Sequence, residues 1–121
     1  MPAHHKIAHH KINYVEFATA DPTATRAFFA AAFGWQFEAF GNYTAFHGAG
    51  LDGGFYPADL ASRADAGGAL IVFYSADLAA TERLVTQHGA TIVKPVFSFP
   101  GGRRFHFTEP AGNEFGVWSD R

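Results

Sequence analysis

The chain predicts an α+β domain made of two consecutive βαβββ modules, and three observations carry that prediction. The first is an internal repeat. Ala20 to Thr25 (ADPTAT) returns as Ala76 to Thr81 (ADLAAT), and Tyr14 to Ala32 lies on Leu70 to His88 without a gap. Phe17, Ala20, Asp21, Ala24 and Thr25 meet identical residues at Phe73, Ala76, Asp77, Ala80 and Thr81. A period of this length marks a supersecondary unit used more than once. The second observation is the order inside each copy, a strand, a helix and then three short strands. The third is punctuation, because each helix has a capping Asp in front and a Gly behind.

Residues 1–11 (MPAHHKIAHHK) are polar, contain four histidines and belong to neither copy, so they read as a mobile arm. A single domain is expected over residues 12–119, with the first module at 12–57, a linker at 58–68 and the second module at 69–119. Residues 12–19 (INYVEFAT) have the β-branched and aromatic content of a strand. Asp21-Pro22 starts a helix, since an Asp side chain accepts from orphan N–H groups and Pro is tolerated in the first turn. Ala24, Ala27, Phe28 and Ala31 then recur at helical spacing as a core-facing stripe, and Gly34 is a suitable stop. Trp35–Phe40, Tyr43–His47 and Leu51–Tyr56 follow as strands. The linker (ADLASRADAGG) is loop-like. In the second module residues 69–75 form a strand, and Asp77 caps a helix bearing Leu78, Leu84 and Val85 before Gly89. Strands are expected at about 91–97, 103–108 and 113–118, separated by the turns Pro100-Gly101-Gly102 and Pro110-Ala111-Gly112-Asn113.

Bulk properties narrow the function classes. At 121 residues the chain is one ordinary domain, and 48% hydrophobic against 17% charged residues places it on the globular side of the boundary with disorder. A formal charge of −2 with scattered Lys and Arg argues against nucleic acid or an anionic membrane as main partner. No apolar run approaches a membrane span and no secretory signal is visible, so a cytoplasmic protein is expected. Without cysteine there is no disulfide, thiolate nucleophile or Cys metal site. His4, His5, His9 and His10 are read as an adventitious binder of transition metals.

The segments FFAAAFGW (28–35), LDGGFY (51–56) and FTEPAGNEFGVW (107–118) carry a close resemblance to the vicinal oxygen chelate superfamily of glyoxalase I, bleomycin-resistance proteins and extradiol dioxygenases. The resemblance spans about residues 12–119. It implies two curved mixed sheets around a shared cavity, often completed by dimerisation. Its metal-ligand positions fall here on Tyr14, Gly54, Leu70 and Gly116. Gly and Leu offer no donor and a neutral Tyr is a poor one, so no metal and no other cofactor is expected.

Strand alternation then populates the cavity. Tyr14, Glu16 and Ala18 face it from the first strand, and Leu70, Val72 and Tyr74 from its repeat. Glu114, Gly116 and Trp118 join from the last strand, with Arg104, His106 and Thr108 from the strand before. Tyr43, His47, Asp52 and Tyr56 come from the first module by analogy. An aromatic-walled pocket with a few ionisable groups suits a planar or amphipathic small molecule.

Glu16 is read either as an anchor for a ligand cation or general base, or as a structural partner of Arg104 or a Tyr hydroxyl, or as simply solvent-exposed on the concave face. His106 is either an acid/base group or a satisfied ring at the pocket edge, and Arg104 either holds a carboxylate or flanks a turn. Tyr14, Tyr43, His47, Tyr56, Tyr74 and Trp118 are assigned to the ligand-binding wall. The leading expectation is a metal-free protein that sequesters a small aromatic or amphipathic molecule. The alternative is a lyase, isomerase or dioxygenase using a non-standard metal site or a Glu16/His106 acid–base pair. The helix bearing Phe28, Phe29 and Phe33 is apolar over more than one face, which predicts cover from the other module or from a second chain in a homodimer.

Overall fold

A computed structural model describes residues 7–121. Its elements run β1 (Tyr14–Thr19), α1 (Pro22–Phe33), β2 (Gln36–Phe40), β3 (Tyr43–His47), β4 (Asp52–Pro57), a 3-10 turn (Ala64–Ala66), β5 (Ile71–Tyr74), α2 (Leu78–Gln87), β6 (Thr91–Phe99), β7 (Gly102–Thr108) and β8 (Glu114–Ser119). The two βαβββ modules are therefore present in the expected order. Each makes its own sheet, β1-β4-β3-β2 and β5-β8-β7-β6. Within each sheet the first strand pairs parallel with the last, β1 with β4 and β5 with β8, and the other pairings are antiparallel. The helix is the crossover that parallel pairing requires.

Local chemistry accounts for the helix ends. Asp21 accepts from the Ala24 N–H and Asp77 from the Ala80 N–H, each at 3.1 Å, and Gly34 closes α1 in the left-handed region at φ 71°. The linker departs from a plain loop. Its 3-10 turn ends at Gly67, which is also left-handed and returns its N–H to the Ala64 carbonyl.

One face of both sheets and the inner face of α1 form a single aromatic core. Phe29 is stacked on Trp35 at 4.1 Å and meets Phe115 edge-on at 5.2 Å. Phe33 stacks on Phe73 at 4.3 Å, and Phe28 approaches Phe107 at 5.8 Å. Module one's helix is therefore covered by module two, and its excess apolar surface is accounted for within one chain. The expected stripe is corrected here: α1 buries Thr25, Phe28, Phe29 and Ala32, while Ala27 and Ala31 are exposed. Bulk decides the phase, since fully burying a Phe is worth roughly 1.5–3 kcal/mol and an Ala offers far less area.

A buried polar cluster pins the modules together. Glu109 accepts from the Thr25 hydroxyl at 2.8 Å, from the backbone N–H of Ala111 and Asn113, and from the Asn113 amide. Asn113 also donates to the Ala18 carbonyl at 2.8 Å and accepts from the Ser62 N–H at 2.7 Å. The Pro-Ala-Gly-Asn segment read as a plain turn is thus the fastener between β1, α1, the linker and the second sheet. Every bond is needed, because a buried carboxylate without donors is costly.

Candidate functional site: the open faces of the two sheets

The face of the first sheet turned away from the core carries a hydrogen-bonded relay. Register places Glu16 of β1 beside Gly54 of β4, and Gly54 beside Ala45 of β3. Gly54 has no side chain, so the Tyr43 ring lies across it, and a Cβ at 54 would collide with the Tyr43 hydroxyl and ring. From there the Tyr43 hydroxyl donates to Glu16 Oε2 at 2.8 Å and accepts from the Tyr14 hydroxyl, 2.7 Å away. Tyr43 has one proton and gives it to Glu16, so the proton between the tyrosines belongs to Tyr14. Burial, the bond with Tyr14 and the neighbouring Glu16 push the Tyr43 phenol above its ordinary value. Glu16 is exposed and also lines a cleft of ≈ 350 Å³ at the seam between modules, with walls from Val15, Tyr56, Leu60 and Ile71. A second seam cavity of ≈ 280 Å³ lies between Trp35, Phe46, Leu51 and Tyr74.

The second sheet carries a different chain of contacts. His106 Nδ1 lies 2.8 Å from Glu114 Oε2, and its Nε2 lies 2.9 Å from Arg104 Nη2. A guanidinium can only donate, so Nε2 is the acceptor and the ring proton sits on Nδ1, aimed at Glu114. Glu114 also accepts from the Ala64 N–H at 3.0 Å and from Arg63 Nε at 3.4 Å. Burial pushes the Glu114 carboxyl up, but the bonds from His106, Ala64 and Arg63 outweigh it and hold the group below its ordinary value.

The predicted site residues therefore fall into two groups. Tyr14, Glu16 and Tyr43 are brought into one relay, with His47 on the same face of β3 and Tyr56 at the seam cleft. Arg104 and His106 are joined to each other, and Trp118 lies beside Arg104 in register and 5.2 Å from the Tyr74 ring. Glu16 and His106 each bond to partners within their own sheet. Of the alternatives open for Glu16, the geometry supplies two, a Tyr hydroxyl partner and solvent exposure, and no bond to Arg104. His106 lies on the predicted face but is only 1% exposed, closed over by Glu114, Arg104 and Phe97. Sequence reasoning missed Arg63 and Ala64 as partners of Glu114. Alternation did put Glu114 on the right face, but nothing local says that the linker folds onto it.

The four positions of the family metal site do not fit a metal. Tyr43 fills the space over Gly54, while Leu70 and Val72 approach a Cβ at Gly116 to 3.4 Å. Among the described residues no group of three or more His, Cys, Asp or Glu side chains is arranged to hold a metal ion. His4 and His5 lie outside the described residues; His9 and His10 are exposed and stack on each other at 3.7 Å. Among the described residues no helix is long and apolar enough to cross a membrane.

The family model of the Glyoxalase/Bleomycin resistance protein/Dioxygenase superfamily matches residues 11–117. The chain belongs to that superfamily. Solved structures of similar fold include a glyoxalase/bleomycin resistance protein/dioxygenase family enzyme from Burkholderia phytofirmans PsJN, at 16% identity and TM-score 0.75, covering 90% of this chain and 98% of that one. Lactoylglutathione lyase from Agrobacterium tumefaciens is 21% identical with TM-score 0.67, covering 91% and 93%. TioX from Micromonospora sp. ML1 is 18% identical with TM-score 0.67, covering 92% and 99%. At these identities the likeness of this superfamily member to each structure is one of fold. No curated protein sequence matches the chain.

Proposed function

We propose that the protein binds a small aromatic or amphipathic organic molecule, without a metal ion, against the open sheet faces and the seam between its modules. The observation that carries this reading is the seam cleft of ≈ 350 Å³, walled largely by apolar side chains with Glu16 as its one acidic residue. A concave apolar wall with a single placed charge is the usual form of a small-molecule site. Glu16 is held by Tyr43 through Oε2, which leaves Oε1 for a donor on the ligand. The donor set over Gly54 and Gly116 supports the metal-free form of the proposal. Partnership with a second copy is part of it, since Tyr14 and Val72 expose 43% and 41% of their surface on these faces.

The test is a thermal-shift screen of planar aromatic and amphipathic compounds, followed by calorimetry on wild type and Glu16→Gln. Stabilising hits that weaken at least ten-fold in the variant support the reading. A screen without hits, or hits indifferent to Glu16, tells against it. The second reading, a lyase, isomerase or dioxygenase, is favoured by the relay itself: a positioned carboxylate that accepts from Tyr43, which in turn accepts from Tyr14, has the form of a general base. Turnover lost in Glu16→Gln with binding retained would move that reading to first place.

A further inference from the structure

Register sets Tyr74 of β5, Trp118 of β8, Arg104 of β7 and Phe97 of β6 side by side in one row across all four strands of the second sheet. The row is open, since Tyr74 is 50% and Phe97 37% exposed. Its one cation is unusually placed. The Arg104 guanidinium carbon lies 5.4 Å from the centroid of Phe97 and 5.9 Å from that of Phe99. Lys94 brings a second cation to within 5.9 Å of the Phe97 ring.

Neither cation has an ion-pair partner among the described residues, whereas Arg63 in the same module pairs with both Asp65 and Glu114. Arg104 donates once, through Nη2 to the neutral acceptor His106 Nε2, and its Nε is covered without any partner. A guanidinium has five N–H donors, and here one is spent on a neutral ring while the covered Nε–H has no acceptor, which is a cost for a buried donor. Aromatic faces attract a cation but accept none of these hydrogen bonds in a directed way. An anion does, and a carboxylate matches the guanidinium fork in both charge and shape.

We propose that this row is an anchor for an aromatic carboxylate, the carboxylate on Arg104 with Lys94 adding charge, and the ring against Trp118 and Phe97. The proposal rests on the reading of the open sheet faces as a small-molecule site and names its ligand class. His106 and Glu114 act behind Arg104 as positioning residues: the ring held by Glu114 fixes Nη2 and so the plane of the guanidinium.

The experiment is titration calorimetry on the full chain with naphthalene-2-carboxylate and with its methyl ester, in wild type, Arg104→Gln and Arg104→Lys. The acid is expected to bind wild type at least ten-fold tighter than the ester. Arg104→Gln should remove that difference and leave the ester unchanged, and Arg104→Lys should keep part of it. Circular dichroism checks that the variants fold; if Arg104→Gln does not, Arg104→Lys and the salt dependence of acid binding carry the test. Equal binding of acid and ester overturns the carboxylate anchor while leaving the small-molecule reading standing. No binding of either overturns the anchor and tells against that reading too. If Arg104→Gln instead converts a dimer to monomer in sedimentation, the row is an interface between copies and the proposal fails.

Discussion

The Tyr43 ring occupies the space above Gly54 that a side chain would otherwise take, and so places its hydroxyl 2.8 Å from Glu16. One missing Cβ therefore does two things at once. It leaves no side-chain donor at a position that the family resemblance reads as a metal ligand's, and it lets a tyrosine reach across a whole strand to a carboxylate.

Gly54→Ala should destabilise the fold by about 1–3 kcal/mol, the usual penalty for overpacking. Gly54→Ala combined with Tyr43→Ala should recover part of that loss, because the colliding ring is gone. Denaturant melts of the two single variants and the double variant close the cycle, and simple additivity would show that the ring is not what the new methyl meets.

Tyr43 is held as a phenol by burial, by Tyr14 and by Glu16. Its folded pKa is raised, so its contribution to stability is fully present below the unfolded value of ~10 and is lost only as pH rises past the folded one. In an alkaline titration followed at the tyrosinate band, Tyr43→Phe should subtract nothing from the step near pH ~10. A wild-type step larger than that of the variant by one tyrosine would contradict this.

Glu114 works in the opposite sense. Its folded pKa is depressed by His106, Ala64 and Arg63 against the upward push of burial. The stability it contributes is present above the unfolded value of ~4.3 and is lost as pH falls through the folded one. Glu114→Gln should lower stability at neutral pH by about 1–3 kcal/mol, the cost of buried partners left unsatisfied. It should also flatten the acid limb of the stability curve. An unchanged limb would mean that the carboxylate is not held as described.

Asn113→Ala removes bonds to Ala18, Ser62 and Glu109 together. A loss of about 3 kcal/mol is expected, with unfolding still a single transition. Two separated transitions in the calorimeter would indicate that the modules had come apart and that this cluster alone had coupled them.

Sedimentation at micromolar concentration tests the pairing of copies. A dimer is expected, and it should weaken when Tyr14 and Val72 are replaced by Ser. A clean monomer would leave the exposed aromatics to the ligand alone.

Much of the fold was legible because the repeat aligned two copies of one pattern, and because Asp21, Asp77 and Gly34 punctuate helices by local chemistry. Alternation likewise placed Tyr14 and Glu16 on one face of the first strand, and Arg104 and His106 on one face of the strand before the last. The phase of α1 was not legible, because five alanines and three phenylalanines over 24–33 satisfy more than one stripe and only the second module decides between them. The two site networks were legible as faces but not as bonds. Tyr43 reaches Glu16 across an intervening strand, and Glu114 meets Arg63 and Ala64 some fifty positions away. Such contacts depend on how sheets curve and where a linker folds back, which local spacing does not encode. Glu109 and Asn113 were hidden for another reason. In a Pro-Gly turn polar residues are expected, and only burial reveals that these two are fasteners.

The parallel pairing of β1 with β4 and of β5 with β8 has a consequence for synthesis. As the chain leaves the ribosome, β1 has no partner until residues 52–57 emerge, so the first sheet closes only when its module is complete. Even then Phe29 and Phe17 lack Phe115, and Thr25 lacks Glu109, since both partners lie in the second module and are made later. A nascent first module thus presents an aromatic face to the cell for the time needed to translate the second. That interval is when the protein is most exposed to aggregation, and truncations just short of β8 should be recovered in the insoluble fraction.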